Sequence, residues 1–114
     1  MNELHISNTI KELGINPSLS GYHYIRDAIG MMMDDMSLIN AVTKKLYPTI
    51  AKKYKTTPQR VERAIRHAIE TGWQKANHGM VVKLFGHSIG DKDKPTNSEF
   101  IATIADYILM TEED

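Results

Sequence analysis

A chain of 114 residues, 41% apolar and 25% charged, can fill one hydrophobic core and not two. It has no cysteine, which excludes a disulfide framework and thiolate metal sites, and no apolar run nears the roughly 20 residues that span a bilayer. Fourteen basic and fourteen acidic residues cancel to zero, yet the charge is segregated: residues 44–75 carry +7, against −3 before them and −4 after.

The N-terminus, MNELHISNTI, lacks a basic region followed by an apolar one, so no secretion signal is predicted and a cytoplasmic location is expected. Leu4, Ile6, Ile10 and Leu13 recur near helical spacing, with Gly14 as the stop of a first helix over residues 3–13. Pro17 and Ser18 open a second helix, whose stripe is Tyr22, Ile25, Ile29, Met32 and Met33. Asp34 and Asp35 end it. Ser37 is the expected cap of a third helix holding Leu38, Ile39, Val42 and Leu46. Pro48 interrupts that pattern. Proline is tolerated in a first helical turn, so a short helix is predicted from Pro48 to about Lys55.

Thr56, Thr57 and Pro58 then form a helix-start signal. The helix that follows is expected to reach about Ala76, weakened by Gly72 at about 1 kcal/mol relative to alanine. Met80, Val81, Val82, Leu84 and Phe85 predict one or two turns ending at Gly86, and residues Gly86 to Pro95 read as a surface loop. Thr96 and Glu99 match a capping box, and the last helix carries Phe100, Ile101, Ile104, Ala105, Ile108 and Leu109, with an acidic, frayed end at residues 111–114. The expected class is all-α: one domain over residues 1–114, a compact bundle of about six helices.

The chemistry concentrates on residues 52–73. On a helix, Val61, Ala64, Ile65, Ala68 and Ile69 fall on one side and Trp73 extends the row. Gln59, Arg60, Glu62, Arg63, Arg66, His67 and Glu70 cover the rest, and the small Ala64 and Ala68 would let a neighbouring helix come close. The preceding short helix turns Ile50, Ala51 and Tyr54 inward and Lys52, Lys53 and Lys55 outward. Two short helices, a tight turn and a basic outer face make a helix-turn-helix, in which the second helix enters the major groove. Arginine pairs bidentately with guanine, glutamine can pair with adenine, and glutamate accepts from cytosine. The expected base readers are therefore Gln59, Arg60, Glu62, Arg63, Arg66 and His67, with Lys52, Lys53, Lys55, Thr56 and Thr57 on phosphates. Charge and spacing alone also fit a solvated face, with Arg63 and Arg66 paired to Glu62 and Glu70.

The run LYPTIAKKYKTTPQRVERAIRHAIE (Leu46 to Glu70) closely resembles the DNA-binding effector domain of the stage-zero sporulation response regulator family. So do Gly21 to Ile29 and Lys94 to Ala102, in the same order, and the likeness runs from about Ile6 to Tyr107. The resemblance implies an all-helical domain that binds short promoter elements, often as two copies side by side, activating some genes and repressing others. It places the DNA-reading helix on Pro58 to Glu70. It links the segment after that helix, about His78 to Ile89, to RNA polymerase sigma factor, with Met80, Val82 and Phe85 as candidates. Core packing is the competing reading for those three. Family members normally begin with a receiver domain that restrains the effector, and this sequence has none. DNA binding without phosphorylation is the consequence expected.

His5, His23, His67, His78 and His87 form no metal-ligand spacing, and no phosphate cradle or nucleophile elbow occurs, so neither metal, cofactor nor catalysis is expected. The Met31–Met33 run with Met36 reads as a buried helix face before an adaptable surface. The alternative function is a helical interaction module whose basic face meets an acidic partner.

Overall fold

The computed structural model describes residues 2–86 and 94–112 as a chain of helices, with no strand among them. Six α-helices follow in order: α1 (Asn2–Glu12), α2 (Ser20–Asp34), α3 (Tyr47–Lys53), α4 (Pro58–Trp73), α5 (His78–Phe85) and α6 (Asn97–Thr111). The all-α expectation holds. Most of the loop expected after Gly86, including His87, Asp91 and Asp93, lies outside the described residues, as do residues 113 and 114.

The α2 helix is the centre of the fold. It packs on α1, α4 and α6, and their buried side chains make one cluster. Ile25, Ala28, Ile29 and Met32 of α2, Val61, Ile65, Ala68 and Ile69 of α4, and Phe100, Ile101, Ile104 and Ile108 of α6 are all essentially inaccessible to solvent. Met31, Met33 and Met36 pack half-buried against that cluster. The capping box of α6 is complete: Thr96 Oγ1 accepts the Glu99 amide at 3.1 Å, and the Thr96 amide donates to Glu99 at 2.9 Å.

Two glycine contacts set how closely these helices lie. A methyl group on Gly21 would overlap the Ala64 carbonyl oxygen and stand 2.8 Å from Ala68 Cβ. The small residues of α4 thus admit the start of α2, as their spacing suggests. Gly14 has φ +88, a left-handed conformation that favours glycine, and a Cβ there would overlap the Gly72 carbonyl. A Cβ on Gly72 would in turn stand 2.8 Å from Gly14. Gly72, read from sequence as a weak point, is where α4 touches the α1–α2 loop.

Residues 35–46 depart from the expected pattern. Asp35, not Ser37, is the cap: its carboxylate accepts the Ser37 amide at 3.0 Å and the Ser37 hydroxyl at 2.6 Å. A short Asp side chain reaches the amide two residues on, so the cap lies two residues upstream. The third helix is divided into a 3₁₀ turn (Met36–Asn40) and a wide π-type turn (Val42–Leu46) that runs directly into α3. That wide turn places Pro48 in the first turn of α3, one residue inside its start at Tyr47, as the sequence predicts to within a residue. The ring of Pro48 would clash with a carbonyl four residues back, and the Tyr47 amide instead bonds to Val42, five back. At the far end, α4 stops at Trp73, three residues short of the expected Ala76. Asn77, whose amide donates to the Glu12 carbonyl at 2.8 Å, then caps α5 through Met80.

Gly21→Ala is expected to destabilise the domain by about 1–3 kcal/mol through overpacking against α4. Gly30→Ala, in the same helix with nothing within 4 Å of a new methyl, should stabilise it by about 0.5–1 kcal/mol. Urea denaturation midpoints, at unchanged m, measure both.

Candidate nucleic-acid interface

The turn between α3 and α4 is fixed by backbone bonds. The Thr56 amide donates to the Ala51 carbonyl at 2.9 Å, and the Lys55 amide to the Lys52 carbonyl at 3.3 Å. This is the paired bonding of a Schellman end, with Lys55 in the left-handed position at φ 57. Lysine holds it without glycine's freedom, at a cost of about 1 kcal/mol. Thr57 then caps α4, its hydroxyl accepting the Arg60 amide at 3.2 Å. Pro58 follows in the first turn, where its missing amide hydrogen costs nothing. Four residues, Tyr54 to Thr57, thus orient one helix against the other.

Burial sorts the faces of α4 as the periodicity does. Val61, Ile65, Ala68 and Ile69 face the core. Gln59, Arg60, Arg63, Arg66 and His67 are exposed, and Glu62 is partly so. Among the described residues, Arg60 and Arg63 make no ion pair. Arg66 does: its Nε lies 3.0 Å from Glu62 Oε2, and a second guanidinium nitrogen 3.4 Å from Oε1. Donation to Glu62 raises the Arg66 pKa further above its usual value. The pair is i,i+4 and both side chains are well exposed, so it is worth a few tenths of a kcal/mol. Its side-on geometry leaves the opposite edge of the guanidinium open. Glu70 meets Lys94 at 3.5 Å, not an arginine of its own helix.

Lys52, Lys53 and Lys55 are exposed on the α3 side of the turn, with Thr57 beside them and Thr56 half-buried. Their situations differ. Lys53 Nζ lies 2.9 Å from Asp27 Oδ2, an oxygen that also accepts the Tyr54 hydroxyl at 2.7 Å. Asp27 belongs to α2, 26 residues upstream, and no spacing in the sequence joins the two.

A second anchor was equally invisible in sequence. Asn97 Nδ2, at the start of α6, donates to the Tyr47 hydroxyl at 3.0 Å and to the Glu62 carbonyl at 3.1 Å. Burial pushes the Tyr47 phenol above its ordinary range, against the hydrogen bond from Asn97. One amide group therefore ties α6 to the start of α3 and to the middle of α4.

The residues of α5 separate. Val82 is 36% exposed, Met80 is half-buried, and Phe85 is buried between Trp73 (5.3 Å, edge-on) and Phe100 (6.2 Å, stacked). Among the described residues, no three His, Asp or Glu side chains converge where a metal ion could sit. No helix there is long and apolar enough to cross a membrane.

Residues 6–108 match the family described as Sporulation initiation factor Spo0A C terminal. The chain belongs to that family, whose members are DNA-binding domains of transcription regulation in sporulation initiation and not enzymes.

Lys55→Gly should raise the stability by about 1 kcal/mol by relieving the left-handed position. Thr57→Ala should lower it by about 1 kcal/mol through loss of the α4 cap. Thermal and urea unfolding of the two variants, whose helical circular dichroism should match the parent, measure these changes.

Proposed function

We propose that the exposed face of α4 enters the major groove of promoter DNA and reads its sequence. The observation that supports this most is the pair of guanidinium groups, Arg60 and Arg63, that have no ion-pair partner among the described residues and stand on the outer face of a helix whose other face is locked in the core. An arginine with no internal partner can give both donors of one edge to guanine O6 and N7. Gln59 and His67 flank them as further readers. Glu62 and Arg66 act as a pair: Arg66 offers its open edge to guanine, or the weak bond separates and Glu62 accepts from cytosine N4.

Phosphate contacts come chiefly from Lys52 and Lys55, with Lys53, Thr56 and Thr57 beside them at the turn. These position α4 in register without reading bases. The segregated charge supports this division, since each neutralised phosphate releases condensed counterions. Two copies bind side by side on one element. Helix α5 presents Val82, with Met80 beside it, to RNA polymerase sigma factor, and Phe85 holds that face from beneath. The domain activates some promoters and represses others, at the nucleoid in the cytoplasm.

Selection of bound duplexes from a random pool, at stated salt, should return a defined element. Binding indifferent to base order would instead favour a basic face made for an acidic protein partner. Arg63→Ala should cost roughly 1–3 kcal/mol on the selected element and relax the preference at one base pair. Lys52→Ala should weaken all sequences about equally and lower the salt slope by about 0.9. Titrations against a panel of single base-pair variants separate the two.

A further inference from the structure

The geometry points to Asp27 of α2 as a positioning residue that withholds Lys53 from DNA phosphates and so limits sequence-independent affinity. This rests on the DNA-binding reading above and adds to it a residue outside the basic stripe.

The argument begins with unequal exposure. The Lys53 side chain is 62% exposed, whereas that of Asp27 is 16% exposed. Lys53 is free to swing toward solvent, but its departure would leave Asp27 a mostly covered carboxylate with only the Tyr54 hydroxyl for company. A buried charge that loses its counter-ion is costly, so the lysine stays. Bonding to Asp27 raises the Lys53 pKa above its usual value, in line with a cation held in its charged form.

Tyr54 strengthens the hold. Its hydroxyl fixes the same carboxylate oxygen, its ring lies 5.3 Å from Lys53 Nζ, and its edge packs on Tyr24 at 5.1 Å. Arg26, the nearby cation of α2, is turned over the Tyr22 ring at 6.0 Å and does not compete for Asp27 in this geometry. The Glu62–Arg66 pair is the useful contrast: both its members are exposed to similar extents, so either can leave at little cost. The Glu70–Lys94 pair is likewise exposed on both sides, so among the described residues the pair at Asp27 is the one on this surface that resists exchange with a phosphate.

The consequence falls on counterion release. Lys52 and Lys55 each present a full charge to the duplex, while Lys53 carries its own carboxylate with it. Sequence-independent binding therefore has about one fewer effective phosphate contact than the count of lysines implies.

Salt-dependent titrations of the parent, Asp27→Asn, Lys53→Ala, Lys52→Ala and the Asp27→Asn/Lys53→Ala double variant test this, each on the selected duplex and a scrambled one. The Asn side chain keeps an oxygen for Tyr54. Asp27→Asn should tighten binding to both duplexes roughly three- to tenfold near physiological salt and steepen the slope by about 0.9. The gain should vanish in the double variant. Lys53→Ala alone should change the slope by less than half of what Lys52→Ala does. No tightening, or tightening that persists without Lys53, overturns the inference. Should Asp27→Asn not fold, equal slope losses for Lys53→Ala and Lys52→Ala overturn it. A parent that prefers neither duplex refutes the DNA-binding reading instead, whatever the variants do.

Discussion

The orientation of the exposed face of α4 depends on how closely α2 can approach it. At Gly21 the two backbones come near enough that a single methyl group would overlap the Ala64 carbonyl. Close approach presses Ile65, Ala68 and Ile69 into the core. The rotation of α4 about its axis is thereby fixed, and with it the direction in which Arg60 and Arg63 project. The second contact, Gly14 on Gly72, holds the far end of the same helix. A helix gripped at its middle and at its end cannot roll, and rolling by one residue, about 100°, would turn arginines toward the core. Rigid positioning of the exposed arginines here comes from small residues and backbone contact more than from hydrophobic mass.

Charge is the second organising factor, and it works by subtraction. Residues 44–75 hold nine Lys or Arg and two Glu, but the structure recruits a carboxylate from α2 to one lysine and a glutamate of α4 itself to one arginine. The surface presented to a duplex is thus graded. Arg60, Arg63, Lys52 and Lys55 have no ion-pair partner among the described residues, Arg66 has a loose one, and Lys53 a firm one. Non-specific binding scales with free cations, whereas specificity depends on oriented donors. On the proposed reading, holding some cations while leaving Arg60 and Arg63 open shifts the balance toward specificity.

Local signals were legible in the sequence wherever one residue acts on its near neighbours. The Thr57 cap, the Thr96–Glu99 box, the stop at Gly14 and the core stripe of α4 all follow from chemistry within four residues. Residues 35–46 escape such a reading because the wide turn before α3 keeps helical hydrophobic spacing while changing the bonding register. Gly72 was misjudged because its partner, Gly14, is 58 positions away and only packing brings them together. The same limit hid Asp27 and Asn97. Neither lies at a spacing that marks it, and each acts on residues more than 25 positions distant. Phe85 illustrates the remaining ambiguity: an apolar residue on a short helix reads as core before contact, and only packing shows its place between Trp73 and Phe100.

The turn itself shows why a strained residue can belong at such a site. A left-handed position ending α3 would be easiest for glycine, yet Lys55 occupies it at φ 57. The Schellman bonds from Thr56 and Lys55 satisfy the last carbonyls of α3 whatever side chain stands there, because they involve only backbone atoms. What the side chain adds is charge, beside Lys52 and just ahead of the capped start of α4. That start carries the positive end of the helix dipole. A cation fixed next to it adds to a field that already favours a phosphate. Strain of about 1 kcal/mol is tolerable in a domain whose core holds α2, α4 and α6 in one cluster. The conflict between local preference and observed residue thus falls where the surface would meet a polyanion, and the rest of the helical frame carries its cost.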